Sequence, residues 1–360
     1  MRSIDWEPII FKSSESSDFT KLQDFIKQNS GIRILDQLES QIKELVKLRN
    51  PSVSTESDEF EEILGIFLSE IDVDRFGNWV YYPWNNNLVR ILPEAEFIEV
   101  RTVRNRYKIT EQEQNILRTK KVGVVGLSVG QSVSLALAME RIAGEIVIAD
   151  FDHLELGNMN RIRTGLHNLG LPKTTIVARE IAEIDPYIRV KCFSAGLTRE
   201  NMDSFFGSGE KHLDILVDEC DSVDIKILAR EKAKECGIPV LMDTSDRGML
   251  DIERFDLDPD RPLFHGLVSE EDLIKLKGTI NPAERVEIVG KIINMDTMSE
   301  VLRQSMKEIG KSITTWPQLG TDVMLGGAIT GHMARKILLG KSKVSGRFFV
   351  DMEQIIHEQL

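Results

Sequence analysis

The chain has 360 residues and 40.8 kDa, with 45 Lys and Arg against 58 Asp and Glu, a formal charge of −13 and a pI near 5.1. At roughly 100–200 residues per domain this is about two domains, and 41% hydrophobic with 29% charged residues is ordinary globular composition. The acid excess argues against broad nucleic-acid binding and against anionic membrane surfaces. Three cysteines, Cys192, Cys220 and Cys236, contain no CxxC pair and support neither a disulfide framework nor a zinc site. The start of the sequence lacks a secretory pattern, and no uncharged stretch reaches the ~18 residues of a membrane span. A cytoplasmic protein is expected.

In chain order, Ile32, Leu35, Leu38, Ile42, Leu45, Val46 and Leu48 recur at helical spacing and predict a helix ending near Asn50–Pro51. A Ser/Thr/Glu/Asp-rich linker follows. FGNWVYYPWNNNLVRIL then suggests a hairpin turning at Pro83–Asn87. From Lys120 short apolar runs alternate with helical stretches, the mark of βαβ units. Strands are expected at 121–125, 145–150, 189–194, 214–218 and 239–243, with helices at 131–143, 173–184 and 223–236. Residues 269–340 read as mainly helical, and their small-residue end, LGGAITGHMARKILLG, suits close packing on a neighbouring helix. The fold class is α/β, a Rossmann-like, doubly wound, mainly parallel sheet with a small N-terminal α+β appendage. The expected division is an appendage at 1–103, a nucleotide-binding domain at 104–345 and a C-terminal tail at 346–360.

In such a sheet ligands bind where strand order reverses, so the loop after the first strand is the place to look. It carries Gly126 and Gly130, whose neighbouring amides could receive phosphate at a helix N-terminus, but Ser128 and Gln131 replace two glycines of G-x-G-x-x-G. Asp150, 24 residues after Gly126, falls where an acid commonly meets a ribose hydroxyl. The continuation sets Asp152, Asn158, Asn160, Arg161 and Lys173 beside it. Two cations and amide side chains suit a triphosphate, whose charge must be offset as pyrophosphate leaves. Asp221 and Ser222 open a further helix, where Asp221 could bind Mg²⁺ or either residue could act as an N-cap. His153 and His167 have no partner at metal-ligand spacing.

These motifs, GLSVG, DFDHLELGNMNRI, GLPK and DECDS, resemble in order and spacing those of the ThiF/MoeB/E1 family, enzymes that adenylate the C-terminal carboxylate of ubiquitin-like proteins. The resemblance spans about residues 104–340 and includes the closing helix. Residues 76–119 together with this core also resemble the ThiF-type half of bacterial proteins in which that half is fused to a nitroreductase domain. It implies Asp150 on the ribose, Asn158, Arg161 and Lys173 on the phosphates, Asp221 on Mg²⁺, and a homodimer in which Arg104 or Arg106 of RNRYK reaches the partner's ATP. The implied cofactors are ATP and Mg²⁺ without zinc, and the implied partner is a carboxylate acceptor: a ubiquitin-like protein, a peptide or a small acid.

Ile162, Ser222 and Lys226 stand where the family has Gln, Asn and Arg. No cysteine follows Cys236 in this sequence, so no thioester step on a late-chain cysteine is expected. Cys220, between Glu219 and Asp221, should form thiolate poorly. Arg247 could pair with a substrate carboxylate or make a salt bridge. The expected function is therefore ATP-dependent adenylation of a carboxylate. The alternatives are a non-catalytic nucleotide-binding scaffold, a tRNA-modifying dehydratase and, weakest, an NAD-linked oxidoreductase.

Overall fold

The computed structural model describes residues 6–209, 212–276, 278 and 280–356. The chain divides into two compact units. The first runs to Glu111 and takes in Asp185–Tyr187; the second holds Gln112–Ile184 and the residues from Ile188 onward.

The first unit comprises β1 (Ile9–Lys12), α1 (Ser16–Gln28), β2 (Arg33–Asp36), α2 (Leu38–Arg49), α3 (Asp58–Ser69), β3 (Asn78–Tyr82), β4 (Asn87–Ile91) and α4 (Glu94–Arg101). Its sheet runs β1-β3-β4-β2. The hairpin forms where the sequence places it, with β3 and β4 antiparallel from Asn78↔Ile91 to Tyr82↔Asn87. Asn86 turns it in the left-handed region at φ 57°, which asparagine tolerates better than most residues.

The expected single helix from Ile32 to Leu48 is two elements. Arg33–Asp36 pairs in parallel with Asn87–Arg90, and the Asp36 carboxylate then accepts the Leu38 amide at 3.1 Å at the start of α2. A short apolar run satisfies either period, and here the ladder with β4 decides. Leu38, Ile42, Leu45 and Val46 pack with Phe60 and Leu64 of α3 to form the core of this unit.

The second unit contains α5 (Glu111–Leu117), β5 (Lys121–Val125), α6 (Gly130–Glu140), β6 (Glu145–Ala149), α7 (Lys173–Ile184), β7 (Arg189–Phe193), α8 (Met202–Phe206), β8 (Ile215–Asp218), α9 (Val223–Cys236), β9 (Val240–Thr244) and β10 (Met249–Glu253). It continues with α10 (Glu270–Leu276), α11 (Pro282–Ile293), α12 (Glu300–Met306), α13 (Gly320–Leu338), β11 (Gly346–Phe349) and α14 (Met352–Ile355). The sheet order is β11-β10-β9-β8-β5-β6-β7. From β9 to β7 every neighbour is parallel. The central strands are apolar throughout because helices cover both faces.

The chain leaves β5 toward β6 and β7, then returns to build β8 and β9 on the other side. Right-handed crossovers in opposite directions put helices on opposite faces, which makes the sheet doubly wound. Phe205, Phe206, Ile227, Ala229 and Ala233 of α8 and α9 cluster with Val125, Val147 and Leu216 of the sheet. Helix α13 packs on α6 through small residues: a Cβ on Gly327 would come within 2.7 Å of the Ser132 side chain.

Two strands lie outside the sequence reading. The stretch after Asp243 turns back as β10, antiparallel to β9. Residues 346–349, read as the start of a tail, form the antiparallel edge strand β11. Among the described residues no helix is long and apolar enough to cross a membrane.

Candidate functional site

The direction of winding reverses between β5 and β8, and the loops leaving their carboxyl ends touch. Gly126 has φ +84°, and a Cβ there would lie 2.4 Å from the carbonyl oxygen of Glu219, so only glycine lets the two backbones approach this closely. The Gly126 carbonyl accepts the Gly130 amide at 3.1 Å, and α6 begins there. At the end of β6 the two carboxylate oxygens of Asp150 accept the amides of Leu127 and Asp152, both at 2.7 Å. Asp150 thus ties the glycine loop to the neighbouring strand. Burial pushes its carboxyl above the ordinary range, against the pull of Lys173 and the two amides.

The segment between β6 and α7 brings the predicted polar residues to this crevice. Arg161 donates from Nε to Ser128 Oγ at 3.0 Å and from Nη1 to Asn160 Oδ1 at 3.0 Å. Asn160 in turn donates to the Gln318 carbonyl at 2.7 Å, and Asn158 Oδ1 accepts the Glu155 amide at 3.1 Å. Burial lowers the Arg161 pKa, while the charge of Asp221 raises it, which places Arg161 and Asp221 in one field. Lys173 is buried at the start of α7 and pairs with Asp152 at 2.8 Å.

Asp221 and Ser222 are exposed before α9. Ser222 occupies the N-cap position, yet its side chain makes no capping bond. Asp218 is spent elsewhere, buried against Lys226 at 3.2 Å and against Arg230. Burial pushes its carboxyl up, but the two cations outweigh this and hold it at about 2. Lys226 therefore serves Asp218 from the position where a family arginine was expected.

No group of three candidate metal ligands occurs among the described residues. Mg²⁺ commonly takes one or two protein carboxylates and completes its shell with water and phosphate oxygens, so an exposed Asp221 fits that donor set. Arg106 belongs to the first unit, half-exposed and 3.6 Å from Glu99. Among the described residues none of the three cysteines forms a disulfide. Burial, then the charge of Asp218, pushes the Cys220 thiol well above its ordinary value; the direction is the expected one, but the causes are burial and Asp218 rather than the flanking Glu219 and Asp221.

Beside the crevice lies a cavity of about 1300 Å³ that shares Val129, Glu219 and Asp221 with it and is otherwise walled by β9, the β9–β10 turn, α11, α12, residues 316–319, the start of α13 and residues 349–354. Arg247, in the β9–β10 turn, braces this wall by bonding Asp351 and the Thr297 carbonyl, both at 2.7 Å. Of the two readings the sequence left for Arg247, the structure shows the salt bridge. The sequence reading missed Glu219 and Asp243. Glu219 Oε1 accepts the Asp243 amide at 2.9 Å, and its carboxyl is pushed well up by burial and by Asp243. Their signal was two acids closing adjacent parallel strands, in VDEC and LMDT.

The sequence pattern of the ThiF family matches residues 102–348, more than half of the chain. The chain belongs to the ThiF family. An uncharacterized protein of Mycobacterium tuberculosis (strain CDC 1551 / Oshkosh) is 40% identical over 331 residues, which is 90% of this chain and 46% of that protein. The tRNA threonylcarbamoyladenosine dehydratase of Bacillus subtilis (strain 168) is 28% identical over 156 residues, 43% of this chain and 60% of that enzyme. This ThiF-family chain thus spans less than two thirds of either relative. In fold it is similar to E. coli MccB crystallised with MccA-N7isoASN, at a TM-score of 0.52 and 16% identity over 88% of this chain and 85% of that one.

Proposed function

We propose that this ThiF-family protein is an ATP-dependent adenylating enzyme that activates a carboxylate without handing it to a late-chain cysteine. The observation that carries the reading is Arg161, bonded to Ser128 of the glycine loop and within the field of Asp221 at the point where the sheet reverses. In this reading Asp150 receives the ribose, assisted by Asp152. The amides from Gly126 to Gly130 and the side chains of Asn158, Asn160, Arg161 and Lys173 receive the phosphates. Asp221, with Ser222 beside it, holds Mg²⁺, which when bound supplies further positive charge against the phosphates.

The reaction is an in-line displacement. A carboxylate oxygen forms a bond to the α-phosphorus, the bridging bond to the β-phosphate breaks, and pyrophosphate leaves with that electron pair. The product is an acyl adenylate. Such chemistry needs positioning and charge neutralisation, and no protein nucleophile. The poor thiolate of Cys220 is consistent with that. The acceptor is a ubiquitin-like C-terminus, a peptide or a small acid.

We further propose a cytoplasmic homodimer in which Arg106 or Arg104 acts across the interface; light scattering tests the dimer. Incubation with MgATP, labelled pyrophosphate and candidate carboxylates tests the chemistry. Exchange of label into ATP supports the reading, and its absence together with absent ATP binding overturns it. A second reading, ATP-dependent modification of tRNA, is supported by the Bacillus relative. The −13 charge weighs against it, and activity on tRNA would favour it.

A further inference from the structure

Asp243 is 5% exposed, lines the cavity, and neither carboxyl oxygen has a hydrogen-bond partner. Buried polar groups are ordinarily satisfied, so an acid with both oxygens free and facing a cavity is an anomaly in need of a reason. The fold also makes room for it. Helix α13 passes so close that a Cβ on Gly326 would overlap the Asp243 carboxyl.

The charged groups around it have other duties. From the β8–α9 loop, Glu219 accepts the Asp243 amide, and from α9, Lys226 is paired with Asp218. In the β9–β10 turn Asp246 accepts the amide and hydroxyl of Ser299, while Arg247 is paired with Asp351. From α13, one turn before Gly326, Asp322 raises the Asp243 pKa by its charge and has only a 3.5 Å contact from Thr321. Among the described lining residues seven carboxyls face two cations, and both cations are spent. An anion entering here meets repulsion from several sides. A cation meets Asp243 and Asp322, two uncommitted carboxyls that repel one another until something positive joins them.

We propose that the cavity binds a primary ammonium group of the acceptor between Asp243 and Asp322, so that the enzyme activates a carboxylate whose molecule also carries an amine. This rests on the adenylation reading for the fate of the carboxylate, but the ammonium site stands on its own residues. The amine end sits against α13, and the carboxylate end extends past Val129 and Asp221, which line both cavity and crevice. The apolar remainder of the wall, including Leu302, Met306 and Leu325, covers the methylenes between.

The test uses pentylammonium, pentan-1-ol and pentanoate titrated calorimetrically into the full chain at pH 8. Pentylammonium is expected to bind at least tenfold more tightly than the other two. Asp243→Asn, isosteric and uncharged, and separately Asp322→Asn, should each weaken pentylammonium at least tenfold; circular dichroism checks their folding. Gly326→Ala should do the same by displacing the carboxyl. Equal or tighter binding of pentanoate, or unchanged pentylammonium binding in a folded Asp243→Asn protein, overturns the proposal. In pyrophosphate exchange, 5-aminopentanoate and the peptide Gly-Gly-Gly-Lys distinguish a small amino acid from a peptide end. Either should show a KM at least tenfold below that of its amine-free counterpart. Exchange with pentanoate and no ammonium binding leaves the adenylation reading standing and removes this one. Ammonium binding without ATP binding does the reverse.

Discussion

Arg161 Nε donates to the Ser128 hydroxyl at 3.0 Å, joining the segment after β6 to the glycine loop. As a sequence, Ser128 is a departure from a glycine pattern. In the fold it holds Nε of Arg161 while Asn160 holds Nη1, in a crevice where burial already disfavours a free guanidinium charge.

Arg161→Ala should lower kcat/KM for ATP about 100-fold, the scale of losing one well-placed donor to developing charge. Ser128→Ala keeps the cation and loses one of its anchors, the bond to Nε, so a loss of about threefold to tenfold is expected, mostly in KM. Arg161→Lys should rescue little, since a point charge does not reproduce the fork. Steady-state exchange kinetics check the order.

Gly126→Ala combines a φ of +84° with a Cβ 2.4 Å from the Glu219 carbonyl oxygen. The atoms it would meet, from Glu219 and Cys220, are all backbone and not a flexible side-chain end. A loss of about 2–4 kcal/mol is expected in urea unfolding, from left-handed strain plus overpacking.

The parallel half of the sheet was legible because buried βαβ strands are continuous apolar runs: Lys121–Val125 and helices Lys173–Ile184 and Val223–Cys236 lie where periodicity puts them. The crevice residues Gly126, Asp150, Arg161 and Asp221 were legible for a different reason, since loops at strand ends carry chemistry at fixed places. Ile32–Leu35 was misread because four residues cannot separate two periods. β10 and β11 were missed because pairing between residues 249–252 and 346–349 depends on distant chain. Asp243 escaped notice because nothing local distinguishes an acid with partners from one without. Only the packing of Gly326 and the placement of Asp322 do that.

Burial first, then the charge of Asp322, pushes the Asp243 carboxyl up to about 7 from 3.8. Between roughly pH 4 and 7 the folded protein keeps a proton that the unfolded chain has released. Stability therefore falls as pH rises through this window and levels off above it. At about 1.36 kcal/mol per pH unit the contribution is on the order of 4 kcal/mol at most. Glu180, pushed by burial to about 7 despite the bond from Gln131, adds slope of the same sign. Asp243→Asn should match the parent near pH 4 and unfold at higher temperature than the parent at pH 8, as thermal melts across pH will show.

Arg230 is fully buried between Asp218 and Glu253. Arg230→Ala takes the guanidinium from Glu253 and leaves Asp218 with Lys226 alone, and a loss of about 3–5 kcal/mol is expected by denaturant titration. Because Asp218 lies three residues before Asp221, ATP affinity measured by calorimetry should also fall in any Arg230→Ala protein that folds.

The central claim is that this crevice forms an acyl adenylate from ATP, and reversal of that step is its most direct readout. With MgATP, labelled pyrophosphate and a panel of amine-bearing and plain carboxylates, the wild-type chain should incorporate label into ATP only when an acceptor is present. Asp221→Ala should abolish incorporation while its circular dichroism stays that of the wild type. No incorporation with any acceptor, joined to no ATP binding by calorimetry, would contradict the account.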